Sequence, residues 1–196
     1  MVHTGILKSE FVEELAAAEV DGVMMDIIGS NDTIREVYNL RATVEDYDKS
    51  LSLLDEWNIP AIPHIVVGLH YGKLRGEARA LEIVSKHDIK ALVIVVLTPL
   101  PGTPMEHVKP PKPLDVARVM LAARILMPKI PLLLGCISPR GLYRIALEAL
   151  CIKAGVNGIA YPSAEAFSIA RRQGFRVKIN ETCCSLIWEE KGLFYE

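Results

Sequence analysis

The chain has no excess of basic residues. Its 22 Lys and Arg stand against 24 Asp and Glu, for a net charge of −2. Non-specific nucleic-acid binding needs a basic face, so this balance argues against it. There is also no long apolar run. The longest, Ala91 to Leu97, is far short of the ~20 residues that span a bilayer. A second greasy region, Val119 to Ile137, is broken by Arg124, Lys129 and two prolines. The N-terminal MVHTGILKSEF has no basic segment leading into an apolar one, so no signal peptide is read there. The four cysteines, Cys136, Cys151, Cys183 and Cys184, form no C-x-x-C pair and no disulfide framework. The simplest expectation is a reduced, cytoplasmic protein with no membrane partner. Finally, no G-x-G-x-x-G or Walker loop follows any apolar run, which weakens a nucleotide-binding open sheet.

What is present is a soluble-domain composition: 196 residues, 51% hydrophobic and 23% charged, enough for one real core. Short apolar runs alternate with amphipathic stretches. The runs predict strands at Val2–Ile6, Gly22–Ile28, Ala61–Val67, Ala91–Leu97, Leu132–Cys136, Gly158–Tyr161 and Phe175–Ile179. Helices are predicted over Ser9–Glu19, Thr43–Trp57, Gly76–Lys86, Leu114–Met127, Leu142–Ala154 and Ala164–Gln173. In the second helix Val44, Tyr47, Leu51 and Leu54 recur at helical spacing, and Thr43 with Asp46 forms a capping box. Pro113 suits the first turn of the fourth.

Strands apolar throughout are buried on both faces, so the alternation implies a parallel sheet covered by helices. Turn-rich segments follow the strands at Gly29–Asp32, Gly68–Gly72, Thr98–Pro104 and Ser138–Gly141. Those are the positions where a (β/α) barrel places its site. The expected fold is a partial TIM-type barrel of about six βα units plus a short C-terminal strand. Its parts are residues 1–174, the barrel, and 175–196, a strand and tail. A full barrel takes roughly 250 residues, so about two units are expected to be missing from the front.

Read in order, DGVMMDIIGSNDTIREVYNLRAT, PHIVVGLHYGKLRGE, TPLPGTPM, DVARVMLAARILMP and AGVNGIAYP resemble the biotin-synthase-like branch of the radical S-adenosylmethionine (SAM) enzymes. The similarity runs from about His3 to Gly174. It implies SAM as cofactor, together with a [4Fe–4S] cluster that reduces SAM to a 5′-deoxyadenosyl radical. In that family three cysteines in C-x-x-x-C-x-x-C hold the cluster. This sequence contains no such motif, so the complete enzyme would draw it from upstream sequence or from a second radical SAM subunit.

The resemblance also assigns roles. Asp26 matches a contact to the SAM ribose; the alternative is an Asp capping the next turn. Arg41 matches the arginine that pairs with the SAM carboxylate, where a bidentate guanidinium is apt. Gly68 fits the glycine motif near the adenine, whose first glycine is lost to Pro63 or His64. The motif's closing Gly-Glu appears only as Gly76-Glu77, after extra residues. Thr103 and Pro104, in TPLPGTPM, match a loop over the adenine, where a prolyl-stiffened wall loses little entropy on binding.

His64, His70 and Arg140 are candidate substrate contacts, each set against a purely structural role. Cys136, Cys183 and Cys184 are candidate ligands of an auxiliary cluster; the alternative for the vicinal pair is two small buried residues. Cys151 reads as core. The two auxiliary-cluster cysteines of biotin synthase fall at about Ile62 and Met1, which puts that reaction in doubt. The expected function is therefore the C-terminal portion of a biotin synthase- or lipoyl synthase-like enzyme acting on a small molecule. Two other readings stay open: a non-catalytic barrel remnant that docks on a partner, and a cluster-free barrel lyase.

Overall fold

The computed structural model describes residues 1–189, apart from the side chains of Cys184 and Glu189. Six strands form one parallel sheet in the order β1-β2-β3-β4-β5-β6. They are β1 (Val2–Thr4), β2 (Val23–Asp26), β3 (Ala61–Val67), β4 (Leu92–Val96), β5 (Leu132–Leu134) and β6 (Gly158–Ile159). Between and after them run α1 (Ser9–Ala17), α2 (Asn31–Glu36), α3 (Val44–Glu56), α4 (Glu77–Val84), α5 (Pro113–Leu126), α6 (Leu142–Lys153) and α7 (Ala164–Arg172). Every strand pairs with its sequence neighbour, and among the described residues β1 and β6 do not meet. The sheet is a partial barrel, as the alternation predicts.

The pleat sends alternate side chains to opposite faces. On the outer face Val23, Met25, Ile65, Val67, Leu92, Ile94, Val96 and Leu134 pack with Leu51, Leu54, Val84, Val116 and Met120 of the helices. The stripe of α3 falls as its spacing requires: Val44, Tyr47, Leu51 and Leu54 are all buried. Its capping box is also present, with Asp46 accepting from the Thr43 N–H at 2.8 Å. Pro113 opens α5.

The inner face has its own apolar cluster of Ile62, Ala91, Val93, Val95 and Leu133, with Met1 and Met24 against it. Ile187 and Trp188, from a 3₁₀ helix at Cys184–Glu189, pack onto the same cluster. Met1 and Ile62, where the resembling family has auxiliary-cluster cysteines, thus belong to the apolar layer on the inner face of the sheet.

Two elements differ from the sequence reading. Residues 175–179 form no strand. Phe175, Val177 and Ile179 alternate like a half-buried strand, yet all three are exposed and share no buried face. The preceding edge strand, β6, is two residues long and offers little ladder to extend. Conversely, the turn read at Gly29–Asp32 runs into a helix. Ser30 caps α2 by accepting from the Thr33 N–H at 3.3 Å.

Candidate functional site

The C-terminal ends of β2 and β3 carry the polar residues of the inner face. Across these strands Asp26 is the register partner of His64. The His3 ring, from β1, lies 5.3 Å from that of His64, and its Nε2 is 3.7 Å from Asp26 Oδ1. Tyr38, just past α2, donates to Asp26 Oδ2 at 3.2 Å. Among the described residues no following backbone N–H bonds the Asp26 side chain. Burial, and then the Asp26 carboxylate, push the Tyr38 phenol upward, and the same two causes push Tyr47 up to about 12. Both phenols are therefore neutral donors at ordinary pH.

The segment around Tyr38 links Asp26 to an open groove of about 450 Å³. Glu36, Val37 and Asn39 line it together with Tyr71 and with Pro99, Leu100, Thr103, Pro104 and Met105. The Thr103 hydroxyl donates to the Leu100 carbonyl at 2.8 Å, and the Glu106 carboxylate accepts from the Gly102 N–H at 3.0 Å. Internal bonds therefore hold this exposed loop, and its apolar residues face the groove. Arg41 is exposed two residues before the N-cap of α3, with no ion pair among the described residues.

Gly68 has a structural role. Its φ is +79°, and a Cβ there would meet Pro111 Cδ at 2.6 Å. Its N–H donates to Glu77 Oε1 at 2.8 Å. Glu77 is buried, and burial pushes its carboxyl up while the Gly68 N–H opposes the shift. The displaced Gly76-Glu77 pair thus folds back onto Gly68 despite the inserted residues. His70 is also occupied. The Arg75 guanidinium can only donate, so His70 Nε2 accepts from it at 3.3 Å. The ring proton then sits on Nδ1, 3.2 Å from Thr33 Oγ1. Thr33, Glu77 and Tyr38 were not read from sequence as site-supporting residues; only the Gly-Glu pair left a signal.

His64 differs. Its Nδ1 lies 3.0 Å from the Ile62 carbonyl, which only accepts, so the ring proton is on Nδ1. Burial pushes this imidazole below its ordinary value, the Ile62 bond and Asp26 opposing. The unfolded chain therefore takes up a proton near pH 6.5 that the folded His64 refuses, and stability falls as pH drops below that point. The slope from this group is at most about 1.4 kcal/mol per pH unit. We expect His64→Gln to flatten the dependence of the urea midpoint between pH 7 and 5.5. Equal acid sensitivity in both proteins would refute this.

Arg140, Cys136 and Cys183 are exposed around the remaining strand ends and the C-terminal segment, so Cys183 is not the small buried residue of one reading. The side chain of Cys184 lies outside the described residues. Among those described, no three His, Cys, Asp or Glu gather as a metal-ligand group. Cys151 is core, its thiol pushed up to about 12 by burial.

Comparison with known proteins decides the relationship. Residues 94–183 match the Biotin and Thiamin Synthesis associated domain. A biotin synthase from Marinobacter nauticus is 27% identical over 96% of this chain and 56% of its own length. One from Ruthia magnifica is 30% identical over 82% of the chain and 49% of its own. These matches support a relationship to the C-terminal part of biotin-synthase-related radical SAM enzymes. The chain spans about half the length of these curated relatives. An HMG-CoA lyase structure from Brucella melitensis superposes with a TM-score of 0.59 at 14% identity, over 89% of this chain and 66% of that one. That likeness speaks to the barrel-type fold alone. No helix among the described residues is long and apolar enough to cross a membrane.

Proposed function

We propose that this chain is the C-terminal portion of a radical SAM enzyme of the biotin synthase and lipoyl synthase kind, acting on a small molecule. In this reading it supplies the ribose, carboxylate and adenine contacts of the SAM pocket. One observation carries it. The groove lined by Thr103 and Pro104 is also lined by Glu36, Val37 and Asn39, and Tyr38, in the same segment, is bonded to Asp26. The residues fit the ligand. Asp26 is an acceptor suited to a ribose diol, Arg41 is a guanidinium with no ion pair among the described residues and suited to a carboxylate, and the loop offers an apolar wall. Gly68 supports this pocket by shaping the loop through its bond to Glu77.

The described residues do not fit a [4Fe–4S] centre, since no three-ligand group gathers among them. In this reading the cluster belongs to other sequence of the enzyme or to a second radical SAM subunit, and this chain binds and orients SAM. Photolabelling the full chain with 8-azidoadenosine tests the groove. The account expects the label on the peptide containing Thr103 and Pro104, and competition by SAM. Labelling confined to other peptides would refute it.

A further inference from the structure

We propose that His64 Nε2 is a second ribose acceptor beside Asp26, so that the pocket selects a nucleoside whose ribose hydroxyls are free. The inference rests on the reading of Asp26 as the ribose contact and adds a residue to it.

A histidine kept only for packing has both ring nitrogens satisfied when buried. Two other imidazoles with little exposed side chain, buried His70 and half-buried His87, obey that rule. His70 is bonded through Thr33 and Arg75. His87 sits between Asp55 at 2.7 Å and Asp48 at 2.8 Å. His64 is equally enclosed, at 9% exposure, yet only its Nδ1 has a partner among the described residues. The Ile62 carbonyl fixes the proton on that nitrogen and leaves Nε2 a lone pair with no protein partner among the described residues, at an atom still open to solvent or to a ligand.

Position supplies the ligand class. His64 is the strand-register partner of Asp26, so the two side chains stand side by side on the inner face. One oxygen of Asp26 is taken by Tyr38, and the other faces His3. Below them the face is apolar, formed by Ile62, Val93, Val95 and Leu133. A carboxylate oxygen beside an imidazole lone pair is a pair of acceptors. It repels a carboxylate or phosphate and receives O–H or N–H donors. A ribose held by Asp26 brings such donors to this point. The first glycine of the resembling motif is lost hereabouts, so the imidazole is a feature of this chain's own sequence.

The test uses the full chain and adenosine, 2′-deoxyadenosine and 3′-deoxyadenosine, with affinities from equilibrium dialysis. His64→Ala is expected to weaken adenosine about tenfold, one hydrogen bond to a neutral acceptor. One of the two deoxynucleosides should bind wild type and His64→Ala equally, because the hydroxyl that His64 accepts is already gone. His64→Gln, which keeps an acceptor, should restore part of the loss. In ¹⁵N-histidine-labelled protein, adenosine should move the Nε2 resonance of His64.

If His64→Ala binds adenosine as wild type does while Asp26→Ala does not, the ribose reading survives and the role of His64 falls. If neither variant changes binding, or adenosine does not bind, both fall. Should His64→Ala fail to fold, the wild-type Nε2 shift decides: no movement on adding adenosine overturns the proposal.

Discussion

Glu148→Ala is expected to cost about 3–5 kcal/mol, the usual penalty for breaking a buried ion pair from one side. Glu148 is fully buried in the middle of α6. Its carboxylate accepts from Arg144 Nε at 2.8 Å, from the Ser163 N–H at 3.2 Å, and from the Ser163 hydroxyl. Arg144 reaches on to the Ala160 carbonyl, and Ser163 caps α7 by accepting from the Ala166 N–H at 3.2 Å. One side chain thus ties α6 to the end of β6 and the start of α7. Its removal leaves a guanidinium that is 12% exposed without its counter-charge, and a cap residue without its anchor. The denaturant midpoint should fall sharply, and the melting temperature by roughly 10 °C. Glu148→Gln, which keeps the shape and one acceptor, should lose less. A loss under about 1 kcal/mol for Glu148→Ala would mean that Arg144 and Ser163 find water or other partners.

Gly76→Ala is expected to cost about 3 kcal/mol and to damage the pocket as well. Two separate penalties act at this position. Its φ is +104°, where an L side chain is strained. The added methyl would also stand 2.6 Å from the Gly29 carbonyl carbon and 2.8 Å from the Ser30 nitrogen, both backbone atoms that move only with the chain. Relief requires the loop after β2 to part from the loop before α4. That would pull Ser30 from its capping position on α2, and Glu77 from Gly68. Loss of stability and loss of adenosine affinity should therefore appear together. Gly102→Ala is the control: its φ is also positive, +76°, but nothing lies within 4 Å of the added carbon, so only the strain should register. Equal losses at both positions would assign the whole effect to φ and none to packing.

The strands were legible wherever burial on both faces forced continuous apolar runs, as in Leu92–Val96, and β3 was legible despite His64 in its middle. The helix α3 was legible from its stripe and cap. α2 was not, because NDTIRE is six residues of turn-forming composition whose helical state depends on the Ser30 cap. The false strand at 175–179 shows the converse error. Alternation in sequence predicts a strand only where one face has something to cover it, and Phe175, Val177 and Ile179 have none.

For the proposed site, Asp26, Arg41, Thr103 and Pro104 could be named from sequence because their loops follow strands in a familiar order. The Tyr38–Asp26 bond and the Glu77–Gly68 bond were not. Each joins segments whose approach is set by the packing of different βα units, and spacing along the chain carries no trace of it. Gly68 was read as a ligand contact, and its N–H is already used inside the fold.

The central claim is that this half-length relative of biotin synthase holds SAM through residues of its own. Equilibrium dialysis of SAM against the full chain, wild type beside Asp26→Ala and Arg41→Ala, tests it most directly. The account predicts saturable one-to-one binding by the wild type and a loss of about tenfold or more in each variant, one charge-assisted contact apiece. No binding by a folded wild-type chain, or wild-type affinity in both variants, would contradict it.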